Sequence, residues 1–310
     1  MRVRAPGKLL LTGAYAVLEG APAVVVAVDR YAVADGSRRT AHASAEVRAA
    51  LGDEPAPSVE SDELYDGSSK LGLGSSAAIV VAALGACAAA RGENPSDPAV
   101  RQAIFRVARA SHAEVQNGGS GVDVAASTYG GALRYSLTDG NPDRPDFRAV
   151  QMPAGLVMQV FWSGTSARTS VLRAQVDALL VRDKLTYGLR MGALGHAASE
   201  AATAVDSGDL RAFIGAATRT AVALAALGID AKANIVPASY AELARVAEGE
   251  ASAFLPSGAG GGDVAVYLGA QKPSEAFLAR AYLFGMRPLG IGIDRDGVRI
   301  ADSPRAPNHG

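Results

Sequence analysis

The sequence predicts an α+β fold, because strand-like and helix-like stretches alternate along the chain. Three aliphatic or β-branched runs, at residues 3–5, 8–12 and 23–28, open the sequence and are separated by glycine and proline. Longer Ala-rich stretches with helix boundary signals follow, and further β-branched runs lie between them. No repeat of solenoid period interrupts this alternation. A mixed fold that begins with a sheet is therefore expected.

Helical and strand patterns can be assigned over most of the remaining chain. Helices are predicted at residues 76–91, 98–115, 169–181, 187–206, 209–227 and 238–248. Strands are predicted at residues 131–136, 156–162, 264–268 and 290–293. The polar stretch 36–69 has no clear period beyond a possible short helix around 43–51, and it is interpreted mainly as loop.

This distribution of elements predicts two subdomains. Residues 1–155 hold most of the early strands and are expected to form a nucleotide-binding part, whereas residues 156–303 are richer in helix and are expected to lie on the substrate side. Residues 304–310 carry two prolines and little apolar surface, so we expect them to form a tail.

Composition and charge exclude several classes of protein. With 310 residues, 49% of them hydrophobic, the chain can bury a large core, and a net charge of −1 provides no basic field for nucleic acid. The single cysteine cannot form an internal disulfide. The first residues lack the apolar core of a signal peptide, and the apolar run 77–90 is too short to span a bilayer. We therefore expect a cytoplasmic protein that binds neither membrane nor nucleic acid.

A glycine-serine loop at residues 70–78, with the sequence KLGLGSSAA, precedes a strongly helical run. Its glycines let the backbone approach an anion, and amide groups at the start of the helix would point at a phosphate. The same letters fit a dinucleotide-binding fingerprint, but the polar residues before the loop do not form the strand which that motif requires. A plain N-capped helix, with Ser75 or Ser76 as the cap, is a second alternative.

Three further features have both a structural and a functional explanation. Lys8 lies in an apolar strand pattern, so its amine either reaches solvent or pairs with an anion. Asp123 begins a short helical run and is either an N-cap or an active-site acid. The glycines of residues 258–262 indicate tight turns or close approach of a ligand, with a plain linker as the alternative. No Walker A sequence is present, so a nucleotide would bind in another manner.

In this order, the segments resemble the three motifs of the GHMP kinase superfamily, which includes galactokinase, homoserine kinase, mevalonate kinase and phosphomevalonate kinase. Residues 5–8 with 13–20 are similar to the first motif, residues 70–78 to the second and residues 257–263 to the third. The resemblance extends from residue 5 to about residue 294. It implies the two-subdomain fold of the superfamily, with the active site in the cleft between the subdomains.

Within the superfamily the chain resembles the phosphomevalonate kinases. The similar features are Lys70 before the glycine loop, the stretch 111–116 leading into 119–125, and the SGAGGGD form of the third motif. Residues 162–170 are similar to a substrate-side loop of the isoprenoid-pathway members. The resemblance implies transfer of a phosphoryl group from ATP, with Mg²⁺, to 5-phosphomevalonate.

The resemblance also implies roles for individual residues. Lys8 and Asp123 are expected to be catalytic, and Ser76 is expected to contact the metal. The residues expected to bind the phosphates of ATP are Lys70, Gly72, Leu73, Gly74, Ser75, Ser76 and Ala77. Those expected to bind the anionic substrate are Lys8, Ser120, Gly121, Ser166, Arg168, Ser257, Gly258, Ala259 and Gly260.

Several alternatives remain open from sequence. The chain could act on mevalonate or another small acceptor, decarboxylate diphosphomevalonate, or be a non-catalytic ligand sensor. Retention of Lys8, Ser76 and Asp123 together favours an active enzyme. The sequence leaves open whether the chain is a monomer or a homodimer.

Overall fold

The computed structural model describes residues 1–301 and contains helices and antiparallel sheets, which confirms the predicted α+β class. The strands are β1 Arg2–Thr12, β2 Ala23–Arg39, β3 Pro57–Glu60, β4 Tyr65–Asp66, β5 Ser69–Lys70, β6 Ala132–Leu137, β7 Pro145–Val150, β8 Val157–Trp162, β9 Ala253–Pro256, β10 Val264–Gly269, β11 Arg287–Leu289 and β12 Arg299–Ile300. The α-helices are α1 Ala45–Leu51, α2 Ser75–Ala90, α3 Pro98–Val115, α4 Val122–Tyr129, α5 Thr169–Arg182, α6 Lys184–Ser207, α7 Leu210–Ala231, α8 Ala238–Gly249 and α9 Glu275–Leu283.

Two larger sheets form the framework. The first has the strand order β12-β1-β2-β6-β7, with β3 paired to β2, and the second has the order β11-β8-β10-β9. Every pairing in both sheets is antiparallel. Helices α2 and α4 pack on β1 and β2, whereas α7 and α8 pack on β9. The N–H of Leu10 on β1 donates a hydrogen bond to the hydroxyl of Ser257 directly after β9, so strand ends of the two sheets lie next to each other.

The last strand returns to the first sheet. After the second sheet is complete, β12 pairs with β1, and the buried carboxylate of Asp294 receives hydrogen bonds from Arg299 and Tyr31. The Asp294 side chain is only 2% exposed, so its charge depends on these partners. The division into subdomains at residue 155 stays a prediction, and the predicted tail at 304–310 lies outside the described residues.

Helix α7 is long and apolar enough to cross a membrane by length and composition alone, but half of its most apolar stretch is buried inside the fold. It packs against α6 on one side and β9 on another. Its buried apolar residues, among them Phe213 and Leu224, belong to the hydrophobic core. In this fold α7 is a core helix.

Most predicted helices are confirmed to within a few residues, but three sequence interpretations are wrong. Residues 36–69 are not mainly loop, because β2 continues to Arg39 and the segment also forms α1, β3 and β4. The opening strand does not break at Pro6, since a shift of register between Pro6 and Gly7 lets one continuous β1 pass the proline. Residues 290–293 make a single bridge from Ile293 to Val28 in place of the predicted strand.

Candidate active site

A cavity of about 440 Å³ lies where the loops of the two halves of the chain meet. It is lined by β1, the glycine-serine loop, the end of α3, the start of α4, the start of α5 and the loop between β9 and β10. The three segments that resemble superfamily motifs thus face one space, although residues 8 and 257 are far apart in sequence.

The glycine-serine loop ends at the N-terminus of α2. Gly74 is the N-cap residue in a left-handed conformation (φ 74°, ψ 37°), and no side chain caps the helix. The interpretation of Ser75 or Ser76 as a capping residue is therefore wrong. The first amide groups of α2 remain available, and both serines line the cavity at the first turn. This is the arrangement that binds phosphate at helix N-termini.

The dinucleotide interpretation does not fit the fold around this loop. The strand before it, β5, has two residues and pairs antiparallel with β4 in a small hairpin. A dinucleotide fold requires a buried parallel strand at that place. The loop therefore does not belong to a dinucleotide-binding fold.

Lys8 reaches from β1 toward the glycine-serine loop. Its backbone N–H donates to the carbonyl of Leu73 at 2.8 Å, and its Nζ lies 3.4 Å from the carbonyl oxygen of Gly72. Gly74 leaves room for the side chain, because a Cβ there would lie 2.9 Å from the Lys8 Cγ. The interpretation of Lys8 as a lysine that extends into solvent does not hold, since its amine points into the cavity.

The charge of Lys8 is balanced by two carboxylates. Burial lowers the pKa of its ammonium group below the ordinary value, and the nearby charges of Asp123 and Asp263 oppose that effect by raising it. Both acids line the same cavity. They favour the protonated form that a phosphate ligand needs.

Asp123 is the second residue of α4 and is not its N-cap, which is Gly121 with a φ of 75°. Its Oδ1 accepts the N–H of Val124 at 2.9 Å, and its Oδ2 lies 3.6 Å from Nε2 of His112 on α3. These contacts fix the carboxylate at the wall of the cavity. His112 is only 12% exposed, so it supports Asp123 from within the protein and is not a surface residue.

The loop between β9 and β10 is an ordered turn that is held by hydrogen bonds, and it is not a flexible linker. The Ser257 hydroxyl accepts the N–H of Leu10 at 3.0 Å, and the Ala259 carbonyl accepts the Tyr15 hydroxyl at 2.8 Å. Gly260 is required by close packing, because a Cβ there would lie 2.1 Å from the carbonyl oxygen of Ile235. These contacts hold Gly258 and Ala259 at the cavity beside Lys8.

Asp263 closes this loop and was not among the predicted site residues. Its Oδ1 accepts the N–H of Ala167 at 2.9 Å, and its own N–H donates to the carbonyl of Thr165 at 2.7 Å. It packs so tightly on Gly72 that a Cβ on that glycine would lie 2.3 Å from the Asp263 Cβ. Burial raises the pKa of Asp263, and the Ala167 N–H and Lys8 oppose the shift. Asp263 thus joins the glycine-serine loop to the loop at 163–167.

A second contact that the sequence did not predict joins Glu46, in the stretch 36–69 interpreted mainly as loop, to the cavity wall. Glu46 on α1 is buried, with 6% of its surface exposed, and it accepts a hydrogen bond from Nε2 of Gln116 at 2.8 Å. Gln116 follows α3 directly and lines the cavity. The helix α1 therefore supports the wall of the site from behind.

The structure brings most of the predicted site residues to the cavity. Those that line it are Lys8, Lys70, Gly72, Gly74, Ser75, Ser76, Ser120, Gly121, Asp123, Ser166, Ser257, Gly258 and Ala259. Leu73, Ala77 and Gly260 are buried behind the wall, where they hold the loops in place. Arg168 does not line the cavity; it precedes α5 with an exposed side chain.

Among the lining residues that were not predicted as site residues are Tyr15, His112, Gln116, Arg173 and Asp263. His112, Gln116 and Asp263 belong to segments whose resemblance to the superfamily was already visible, so the sequence contained a signal for them. Tyr15 also belongs to such a segment, residues 13–20, whereas Arg173 carried no such signal, because only the fold brings it to this space.

Comparisons with known proteins agree with this geometry. Residues 44–131 match the family described as the GHMP kinases N terminal domain. This match supports the resemblance to the GHMP kinase superfamily that the three sequence motifs indicate.

Within that superfamily the chain is similar to phosphomevalonate kinases. A phosphomevalonate kinase from Streptomyces sp. (strain CL190) is 29% identical over 334 residues, which covers 85% of this chain and 88% of the relative. Among solved structures, the Lin0012 protein from Listeria innocua superposes with a TM-score of 0.82 at 25% identity, covering 97% of this chain and 99% of that one.

A Streptococcus pneumoniae phosphomevalonate kinase, solved in complex with phosphomevalonate and AMPPNP, shares the fold. It superposes with a TM-score of 0.76 at 20% identity, and the match covers 94% of this chain and 99% of that one. The GHMP kinase fold implied by the sequence resemblance is thereby confirmed.

The contact between Gly72 and Asp263 can be tested with a matched pair of alanine variants. Gly72 and Gly67 both have positive φ (82° and 57°), but only at Gly72 would a Cβ meet another residue within 4 Å. We expect each substitution to cost about 1–2 kcal/mol of stability from the left-handed backbone. Only Gly72→Ala should displace Asp263 and lower kcat/KM, by about 100-fold.

The two effects are separated by measuring urea unfolding and ATP-dependent turnover on both variants. Equal kcat/KM for Gly72→Ala and Gly67→Ala would show that the close packing on Asp263 has no role in the site.

Proposed function

We propose that this chain is an ATP-dependent kinase that phosphorylates 5-phosphomevalonate to 5-diphosphomevalonate. One observation carries the proposal: an uncapped helix N-terminus, a buried lysine and two carboxylates converge on one cavity. The similarity to the Streptomyces phosphomevalonate kinase, over most of both chains, supports the choice of acceptor. The exposed side chain of Lys70 at the edge of the same cavity adds a cation for a second anionic group.

A protein catalyses phosphoryl transfer mainly by positioning the two substrates and by neutralising the negative charge of the phosphates. In the proposed site the first amides of α2 and the glycine-serine loop hold the β- and γ-phosphates of ATP. Lys8 lies between this loop and Gly258, where its ammonium group can contact the transferred phosphoryl group and the incoming oxygen.

The oxygen donors of the cavity fit a magnesium ion. Mg²⁺ is usually held by one or two carboxylates together with substrate phosphates and waters. Ser76, Asp123 and Asp263 provide a hydroxyl and two carboxylates at the cavity wall. When bound there, the metal would neutralise negative charge on the phosphates of ATP.

The acceptor determines whether the site needs a base. The second pKa of a phosphate monoester is about 6, so its oxygen is already an anion at neutral pH. The bond from the γ-phosphorus to the bridging oxygen breaks, a bond to the acceptor phosphate oxygen forms, and ADP leaves without transfer of a proton. Asp123 then serves to orient Lys8 or the metal, and it does not act as a general base.

The proposal extends to the location of the enzyme and to its binding partners. We infer a cytoplasmic enzyme whose partners are small anionic molecules, because a net charge of −1 offers no field for nucleic acid.

An acceptor panel tests the proposal. Purified protein with ATP and Mg²⁺ is offered mevalonate, 5-phosphomevalonate, 5-diphosphomevalonate, homoserine and galactose, and release of ADP is measured. We expect turnover well above background with 5-phosphomevalonate alone. Preference for mevalonate would indicate a mevalonate kinase, and carbon dioxide released from 5-diphosphomevalonate would indicate a decarboxylase. A rate at background with all five would favour a ligand sensor.

Two substitutions test the assignment of roles at the cavity. Lys8→Met removes the charge that neutralises the transferred group, so we expect kcat to fall about 1,000-fold or more. Asp123→Asn keeps the shape and removes only a charge that orients other groups, so the loss should be smaller, about 10–100-fold. The exposed Lys272, changed to Met, is a matched control expected to keep full activity.

Steady-state kinetics with 5-phosphomevalonate shows whether Asp123 orients Lys8 or the metal, or instead acts as a general base. Equal abolition of activity by Lys8→Met and Asp123→Asn, accompanied by turnover of mevalonate, would contradict the role given to Asp123.

A further inference from the structure

The proposed acceptor has an anionic group at each end, and the cavity must therefore supply cations at two places. A phosphate at one end would lie beside the glycine-serine loop, where Lys8 and Lys70 line the cavity. A carboxylate at the other end needs a separate partner, since an unpaired carboxylate that leaves water loses its solvation. Arg168, which the sequence resemblance placed among the substrate-binding residues, is exposed and does not line the cavity.

Arg173 is the one arginine that lines the cavity within the described part of the chain, residues 1–301. It lies on α5 one turn after Thr169, and both residues, together with Ser170, line the cavity. Residues four positions apart in a helix lie on the same face, so Thr169 and Arg173 point to the same side of α5. A cation and two hydroxyl groups are thereby presented on one side of the site.

The guanidinium group of Arg173 lies next to Gly118 in the loop after α3. Its two terminal nitrogens lie 3.4 and 3.7 Å from the place where a Cβ on Gly118 would stand. Gly118 has a φ of 99°, a conformation that glycine adopts readily, and its missing side chain leaves room for the guanidinium plane. The loop and the arginine therefore form the wall together.

The terminal nitrogens of Arg173 are left for a ligand. Over residues 1–301 its one ion pair is with Asp177, through Nε at 3.9 Å, and that carboxylate is 64% exposed. An exposed i,i+4 pair at this distance contributes little. The side chain of Arg173 is itself 37% exposed and lines the cavity, while its Nε lies near Asp177.

We propose that Arg173 binds the carboxylate of the acceptor and so selects substrates that carry both a phosphate and a carboxylate. The assignment rests on the proposed function. An arginine fork matches a carboxylate with two parallel hydrogen bonds, which a lysine cannot reproduce. The acceptor phosphate is then held toward Lys8, and the carboxylate fixes the opposite end.

The test measures the KM of each protein variant with each of two acceptors. The acceptors are 5-phosphomevalonate and 3-hydroxy-3-methylbutyl phosphate, which keeps the phosphate and hydroxyl groups but lacks the carboxylate. The variants are Arg173→Gln, Arg173→Lys and Arg168→Gln, with Arg211→Gln on the exposed start of α7 as a matched control.

With 5-phosphomevalonate, Arg173→Gln should raise the acceptor KM about 10–100-fold, because a hydrogen-bonded charge pair is lost. The KM for ATP should stay within about twofold of the value for the unaltered protein, since Arg173 lies on a different element from the glycine-serine loop. Arg173→Lys should give a smaller rise, and Arg211→Gln should give none. With the acceptor that lacks the carboxylate, the unaltered protein and Arg173→Gln should have the same KM.

The outcomes separate the two proposals. If the unaltered protein turns over 5-phosphomevalonate and Arg173→Gln has the same acceptor KM, the carboxylate subsite is refuted while the proposed function stands. An equal loss with both acceptors, or a rise in KM in Arg168→Gln alone, would also overturn it. If the unaltered protein does not act on 5-phosphomevalonate, the proposed function fails and the subsite with it.

Discussion

A lysine ammonium group removed from water between two carboxylates is the interaction on which the rest of the site depends. Burial lowers the pKa of Lys8, and Asp123 and Asp263 counteract that shift. Two acids would be unexpected in a cavity meant for phosphates, because they repel anions. Their presence is explained if they keep a buried cation charged and hold a metal, which together make the cavity favourable for polyphosphate.

This constraint explains why the loops around Lys8 are rich in glycine. Gly74 admits the side chain of Lys8, and Gly72 lets Asp263 approach. The loop that contains Gly260 is fixed by close packing on Ile235. Asp263 also binds the backbone at Ala167, so one carboxylate connects the lysine, the glycine-serine loop and the start of the segment that carries Arg173. Two halves of the chain are joined at the place where the chemistry is proposed to occur.

The sequence was informative wherever a local pattern determines structure. Helix α3 was predicted with its bounds correct, because Pro98 and the periodic apolar residues mark it. The three motifs identified Lys8 and the glycine-serine loop. Prediction failed where pairing with a distant strand determines the structure. In the polar stretch 36–69, residues 57–60 form β3 because they pair with β2. Arg173 was missed for the same reason, since it faces the cavity only through the packing of α5.

The most direct test of this account is the pKa of Lys8, measured by NMR titration of protein carrying isotope-labelled lysine. The chain has five lysines, so the signal that disappears in Lys8→Met assigns the resonance. We expect a pKa below the ordinary 10.5 that falls further in Asp263→Asn, because one of the two opposing carboxylates is then removed. A pKa equal to those of the exposed lysines, and unchanged in Asp263→Asn, would contradict the account.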